Sequence, residues 1–269
     1  MLYSFSRLRC FRNCPRSYKF QYIDKVEVPE FESIESFMGN RVHEALELLY
    51  ENMKKGEVLG LDYLSESYSE GWKKNLNPGI VVNKQGKTPD DYKSAGEKCI
   101  HDYYHRYKPF DSGEVVATEM RIEADLAGDG RYRIMGYVDR LDKHKEGHYE
   151  IHDYKTSSRL PNTQAKDFDN QLGLYELGVR QARKHGGDVQ LVWHYLTHDT
   201  EIRMQKKTDE LNAIRDNTIS MIKDVEKAVK AGEFPAYKTG LCSWCAYQGI
   251  CAEMEKPKRQ TQSFLSKFF

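Results

Sequence analysis

Two aspartates and a lysine stand in a pattern that suits divalent-cation chemistry. Asp153 and Lys155 lie in Tyr149-Glu150-Ile151-His152-Asp153-Tyr154-Lys155, where a strand's period of two puts both side chains on one face. Asp139 closes the preceding run Gly136-Tyr137-Val138-Asp139. Acids on half-buried strands need partners, because burying an unpaired charge is costly. Two carboxylates from adjacent strands can share a Mg²⁺ ion, which prefers oxygen ligands and keeps several waters. A lysine beside them can orient or deprotonate a water, or offset charge developing on a phosphate. His43, in Gly39-Asn40-Arg41-Val42-His43-Glu44, offers a third ligand. Gln171 and Tyr175 are spaced i, i+4 and so share a helix face that can point at the same place. The plainer alternatives are a structural Asp–Lys pair on a solvated face, a structural helical histidine and a core tyrosine.

A second group is made of thiols. The six cysteines stand at 10, 14, 99, 242, 245 and 251. Cys242, Cys245 and Cys251 sit in one tight stretch, LCSWCAYQGIC. The first residues carry arginines throughout and lack the apolar run of a secretory signal, so a disulfide framework is not expected. Thiolate-only sites suit Zn²⁺ or an iron–sulfur cluster, and three cysteines call for a fourth ligand. Cys99, on a helical stretch, reads as a core residue.

The elements that must position these groups follow from periodicity. Phe37, Val42, Leu46, Leu49 and Met53 recur at helical spacing over 33–56, with Gly56 as a stop. Residues 62–75 and 89–108 also read as helices, separated by a loop from Asn77-Pro78-Gly79 to Pro89. EVVATEMRIEADL, YRIMGYVDRLDKH and HYEIHDYKTS then read as three consecutive strands, with Gly128-Asp129-Gly130 and Lys145-Glu146-Gly147 as their turns. A helix over 165–185, with Phe168, Leu172, Tyr175 and Val179 on one face, leads to a strand at 190–197. A long amphipathic helix over 208–232 ends at Gly232. This order predicts an α/β (α+β) domain with a central mixed sheet flanked by helices and one right-handed parallel connection.

Composition narrows the function classes. The 269 residues hold 41 Lys plus Arg and 41 Asp plus Glu, for zero formal charge, with 12% aromatic residues including 18 Tyr. That excludes a disordered chain and a uniformly basic nucleic-acid binder, and no apolar run approaches the ~20 residues that span a bilayer. Charge is segregated, however. Residues 1–25 carry six Lys or Arg against one Asp, and residues 26–70 carry eleven acids against three bases.

Taken in order, His43, Gly-Tyr-Val-Asp139, Asp153-Tyr-Lys155-Thr and Gln171-x-x-x-Tyr175 resemble the PD-(D/E)XK nuclease superfamily, specifically its RecB-like branch. The opening Ser4-Phe5-Ser6-Arg7-Leu8, followed by Cys14-Pro15-Arg16-Ser17-Tyr18-Lys19-Phe20, is similar to the start of that branch. The resemblance covers about residues 3–255 and implies a restriction-endonuclease-like core with a helical N-terminal insertion and termini stapled by a cluster. It implies that His43, Asp139, Asp153 and the Tyr154 carbonyl bind Mg²⁺ or Mn²⁺, that Lys155 is the catalytic lysine, and that Gln171 and Tyr175 position the DNA or the lysine. Glu119 matches a position where the superfamily often has an acid; Glu123 is its neighbour on the same strand face. The third motif is Asp-x-Lys rather than Glu-x-Lys, and both occur in the superfamily.

Members of the branch carry a [4Fe-4S] cluster held by one N-terminal and three C-terminal cysteines. By that resemblance the ligands are Cys14, Cys242, Cys245 and Cys251, with Cys10 as the rival for the N-terminal place. The implied organisation is a single domain over 1–255: a basic segment with the cluster cysteine (1–25), a helical region (30–110), a nuclease core (114–232) and the cysteine cluster (240–255). Arg7, Arg12, Arg16 and Tyr18 would contact single-stranded DNA by phosphate pairing and stacking. The branch includes repair and recombination nucleases and the fourth CRISPR-associated nuclease family, whose members trim spacers. The activities expected are therefore a single-stranded DNA exonuclease with endonuclease action beside it, a spacer-trimming nuclease of CRISPR adaptation, or a non-catalytic DNA-binding clamp adaptor on the same fold.

The last residues resemble another known motif. Gln262, Leu265, Phe268 and Phe269 fill every defined position of the PCNA-interacting peptide, on a basic tether within 256–269. Exposed aromatics at a terminus suggest a partner; the alternative is a tail packed on its own domain. The motif implies the PCNA sliding clamp, a replication or repair role, and a cytoplasmic, nucleoid-associated place in an archaeal cell or the host of an archaeal virus or plasmid.

Overall fold

A computed structural model describes residues 1–28, 32–163, 170–184 and 186–253. Phe168 and the C-terminal motif (Gln262, Leu265, Phe268 and Phe269) lie outside the described residues. The chain divides into two compact units, one of residues 1–5 and 31–223 and one of 6–30 and 224–269.

The first unit is built on a six-stranded mixed sheet. Its strands are β1 (Leu2–Ser4), β4 (Glu114–Asp125), β5 (Arg133–Lys143), β6 (Tyr149–Lys155), β7 (Val189–Tyr195) and β8 (Thr200–Gln205). A two-residue pair, β2 (Glu32–Ser33) with β3 (Ile80–Val81), stands apart. β4, β5 and β6 form the expected antiparallel run. β6 and β7 pair in parallel across α6 (Asn170–Arg183), which is the crossover that the sequence implies. Two strands escape the periodicity: β1 is three residues long, and β8 alternates polar and apolar residues in a charged stretch. They pair parallel with β5 and antiparallel with β7.

Helices cover both faces of this sheet. α3 (Ile34–Met53), α4 (Leu61–Asn75) and α5 (Pro89–Tyr107) pack together around Phe37, Leu46, Leu49, Leu64, Trp72, Ile100 and Tyr103. Tyr154 of β6 belongs to that same core, so these helices lie against one sheet face. Cys99 is buried in it, as its place on a helix suggested. The starts of two helices are written in the sequence. Ser33 Oγ accepts from the Ser36 N–H at 3.1 Å, and Thr88 and Asp91 exchange side-chain bonds in a capping box ahead of Pro89. On the other face, Leu172 and Val179 of α6 meet Ile122, Leu141, Ile151 and Leu191. The last helix, α7 (Thr208–Ala231), seats Ile214 against Gly173 of α6.

The second unit has its own small core. It holds α1 (Phe5–Asn13) from Ser6 onward, α2 (Pro15–Tyr18) and a π-helical turn, Lys19–Ile23. The Tyr18 ring sits among Phe11, Tyr22 and Phe234. Arg16 ties the two ends of the chain together here: its Nε donates to the Phe234 carbonyl at 2.8 Å and its N–H to Pro235 O at 3.1 Å. Among the described residues, no helix is long and apolar enough to cross a membrane.

Candidate active site

The first site forms around the backbone of one residue, Tyr154. Its N–H donates to Asp139 Oδ2 at 2.7 Å. Its carbonyl lies 3.0 Å from His43 Nε2, and His43 Nδ1 lies 3.6 Å from the same Asp139 oxygen. His43 reaches this point because it follows Val42 on α3, at the rim of the stripe that Val42, Leu46 and Leu49 bury. Asp139 and Asp153 are the next residues on each strand beyond the last ladder pair, Arg140–His152. Lys155 Nζ sits 2.7 Å from Asp153 Oδ2.

Of the two acids weighed on β4, Glu119 is the one that lies in a ligand group. Its neighbours Thr118 and Met120 pair with Arg140 and Val138, so it faces Asp139 across the ladder. Ligand atoms of His43, Glu119 and Asp139 all lie within 4.8 Å of one another. Glu123 is instead engaged by Arg121 and Arg133. Glu119 adopts a positive φ of 42°, a conformation that costs a non-glycine residue of order 1–3 kcal/mol and clusters at functional sites. Asp153 is not in that group of three; its Oδ2 is turned to Lys155.

Gln171 and Tyr175 are brought to the same sheet face. Gln171 Nε2 donates to the Tyr175 hydroxyl at 2.9 Å. A Cβ on Gly136 would stand 2.2 Å from the Tyr175 ring, so only glycine on β5 lets this tyrosine lie so close to the strand. The charges of Asp153, Asp139 and Lys155 all act on its hydroxyl.

The electrostatics are those of crowded carboxylates. Burial, and then the charge of Asp153, raise the proton affinity of Asp139 above the ordinary aspartate range, against the opposing pull of His43, the Tyr154 N–H and Lys155. Glu119 is raised by burial and by Glu47. For Lys155, burial works against the charged form, but Asp153 and Asp139 hold its pKa above the ordinary lysine value. Crowded, desolvated carboxylates relax by taking up a proton or a cation. The donor set fits a cation: three carboxylates, an imidazole and a carbonyl. His43, Asp139, Asp153, Glu119 and the Tyr154 carbonyl are the residues that would hold it.

Behind the Tyr154 peptide lies a residue that the sequence reading did not single out. Arg140, 3% exposed, donates to the Tyr103 and Tyr154 hydroxyls at 2.7 Å each and lies 3.9 Å from the centre of the Tyr50 ring. Its signal in the sequence was an arginine between Asp139 and Leu141, on an alternation that points it into the helical core.

In the second unit the thiols share one place. Cys10, Cys14, Cys242, Cys245 and Cys251 all line a cavity of about 350 Å³. Cys14 Sγ accepts from the Tyr237 N–H at 3.5 Å and Cys242 Sγ from the Thr239 N–H at 3.4 Å. The thiol of Cys10 is raised by burial and by the nearby Cys14 and Cys245. Four sulfurs on one zinc would lie about 3.8 Å apart. Among the described residues, neither group of three ligands that closes within 4.8 Å includes a cysteine. Of the residues expected to meet DNA, Arg12 is exposed and Arg7 and Arg16 are half-buried. Arg7 Nε donates to the Tyr18 hydroxyl at 3.0 Å. Tyr18 itself has 0% exposure, so its ring offers no free face for a base.

Comparison with known proteins accords with this geometry. The sequence model of the PD-(D/E)XK nuclease superfamily matches residues 3–252. No curated protein matches. Among solved structures, one from Eubacterium rectale described as a "Putative exonuclease" aligns with a TM-score of 0.56 at 14% identity, over 94% of this chain and 90% of that one. Another, SSO0001, gives a TM-score of 0.38 at 16% identity, over 92% of each chain. The first of these likenesses is one of fold.

The raised Asp139 pKa makes cation binding proton-linked. In the metal-free chain, the stability that this group contributes is present at low pH and is lost as pH rises through its folded-state pKa. A bound cation displaces the proton. Mn²⁺ affinity, measured by calorimetry, should therefore hold above that pKa and weaken by about tenfold per pH unit below it. An affinity unchanged down to the ordinary aspartate range would contradict the assignment.

Proposed function

The chain belongs to the PD-(D/E)XK nuclease superfamily, and on that premise we propose that it is a Mg²⁺- or Mn²⁺-dependent deoxyribonuclease that degrades single-stranded DNA in replication or repair. The observation that carries the reading is the convergence of Asp139, Glu119 and His43 at the Tyr154 peptide, with the Asp153–Lys155 pair beside them. A divalent cation bound there would polarise a phosphodiester and lower the pKa of an attacking water. Asp139, Glu119, His43 and the Tyr154 carbonyl, with Asp153, would hold that cation. Lys155, kept charged by Asp153, places an ammonium group where negative charge accumulates on the phosphate. Gln171 and Tyr175, joined to each other, orient the lysine or a phosphate oxygen on the same face.

The cysteine cavity supports membership of the iron–sulfur RecB-like branch. Its volume exceeds that of a single ion, and its thiols do not close to zinc-like spacing. In this reading Cys14, Cys242, Cys245 and Cys251 hold a [4Fe-4S] cluster that staples the N-terminal segment to the C-terminal loop. Exposed Arg9 and Arg12 are the phosphate contacts of the basic segment, with the charge of Arg7 and Arg16 behind them. The terminal Gln262, Leu265, Phe268 and Phe269 tether the enzyme to a PCNA-type clamp, which favours replication or repair over spacer trimming.

Three measurements test these assignments. Lys155→Ala should lower Mg²⁺-dependent cleavage of labelled single-stranded DNA by at least roughly 10²–10³-fold while the thermal melt stays unchanged; full residual activity rejects the site and favours a non-catalytic adaptor. Anaerobically purified protein should absorb near ~400 nm, and Cys14→Ser should lose that band while Cys10→Ser keeps it. A colourless wild type that contains zinc would reject the cluster. Replacement of Phe268 and Phe269 by Ala should abolish pull-down by PCNA without changing cleavage of free DNA; undiminished pull-down would remove the clamp tether.

A further inference from the structure

The tip of the β5–β6 hairpin carries a second set of metal-type ligands, on the opposite face of β6 from Asp153 and Lys155. His144 and His148 flank the turn Lys145-Glu146-Gly147 and are cross-strand neighbours: the His144 N–H donates to His148 O at 3.0 Å. Gly147, at φ +90°, lets the turn close this tightly. The two rings stack with centroids 4.4 Å apart. Glu150 lies two residues beyond His148, so the strand period sets it on the same face. Ligand atoms of all three lie within 4.8 Å of one another.

The His144–Glu150 contact is at ion-pair distance but outside hydrogen-bond geometry. His144 Nε2 lies 3.1 Å from Glu150 Oε2, yet this buried nitrogen makes no hydrogen bond. A ring nitrogen and a carboxylate oxygen that meet in this way are satisfied by a shared proton or a shared cation. The other Glu150 oxygen is held by Arg203, a fixing contact of the kind that orients ligating carboxylates.

Ion pairs run from Arg140 to Asp142, from Asp142 through His152 to Glu150, then to Arg203 and Glu201, and this chain fixes Glu150 in place beside the two histidines.

We propose that His144, His148 and Glu150 bind a borderline divalent cation of the zinc class, as a clip at the tip of the hairpin that carries Asp139 and Asp153. Two imidazoles and one carboxylate suit Zn²⁺, with water in the fourth position. The oxygen-rich group at Asp139 suits harder cations, so the two sites differ in metal preference. The clip is independent of the nuclease reading.

The test is zinc binding by the full chain after chelator treatment, titrated against a chromophoric chelator. Thiols stripped of their cluster by the chelator would also take up zinc, so three proteins are compared: wild type, His148→Gln and Cys242→Ser. His148→Gln should bind one equivalent fewer than wild type, while Cys242→Ser should keep the equivalent that His148→Gln loses. X-ray absorption at the zinc edge of Cys242→Ser loaded with one equivalent should show a nitrogen and oxygen shell with imidazole scattering. Equal stoichiometry in His148→Gln and wild type, or a sulfur shell in Cys242→Ser, would overturn the proposal. The absorption readout does not depend on how His148→Gln folds.

Discussion

The arrangement depends on how the Tyr154 peptide is held. Its N–H is bound by Asp139, its carbonyl faces His43, and its hydroxyl accepts from Arg140 on the helix-covered face of the sheet. The residue between Asp153 and Lys155 is thereby fixed at its N–H, its carbonyl and its side chain at once. The strand period then determines where those two neighbours project. Tyr154 is 4% exposed, so slippage of β6 by one residue would expose it and bury Lys155 among the helices. Burial of the tyrosine and orientation of the Asp–Lys pair are one constraint.

The two faces of β6 treat charge differently. On the face of Glu150, His152 and Tyr154, charges are interleaved with arginines, and burial is offset by direct pairing. On the other face, Asp139 is crowded by Asp153 and raised in proton affinity, with Lys155 as partial compensation. Preserving that imbalance beside a well-paired network costs stability, and such groups collect where a ligand supplies the missing charge. Glu119, in its left-handed backbone conformation opposite Asp139, adds backbone strain at the same point.

Much of this was legible in the sequence because periodicity and burial coincide. α3, α5 and the β4–β6 run have apolar spacing that matches their packed faces, and Ser33, Thr88 and Gly147 mark their ends. The pairing of Asp153 with Lys155 followed from the strand period alone. What stayed hidden depends on register and depth. The three residues of β1 carry too short a pattern, and the polar positions of β8 resemble a loop. Arg140 reads as a surface arginine until its three tyrosines, all distant in sequence, are known to surround it. The choice between Glu119 and Glu123 rests on which one faces Asp139, which alternation cannot give. Tyr18 shows the reverse case: an aromatic residue in a basic segment suggested stacking on a base, but the ring fills the core of its own unit.

The central claim is that Asp139, Glu119, His43 and the Tyr154 carbonyl, with Asp153 beside them, would hold one cation. Its most direct test is diffraction at the manganese absorption edge from crystals soaked in Mn²⁺. The account predicts an anomalous peak about 2–2.3 Å from an Asp139 oxygen and the Tyr154 carbonyl, lost in Asp139→Asn crystals. Manganese bound elsewhere, with no peak beside Tyr154, would contradict it.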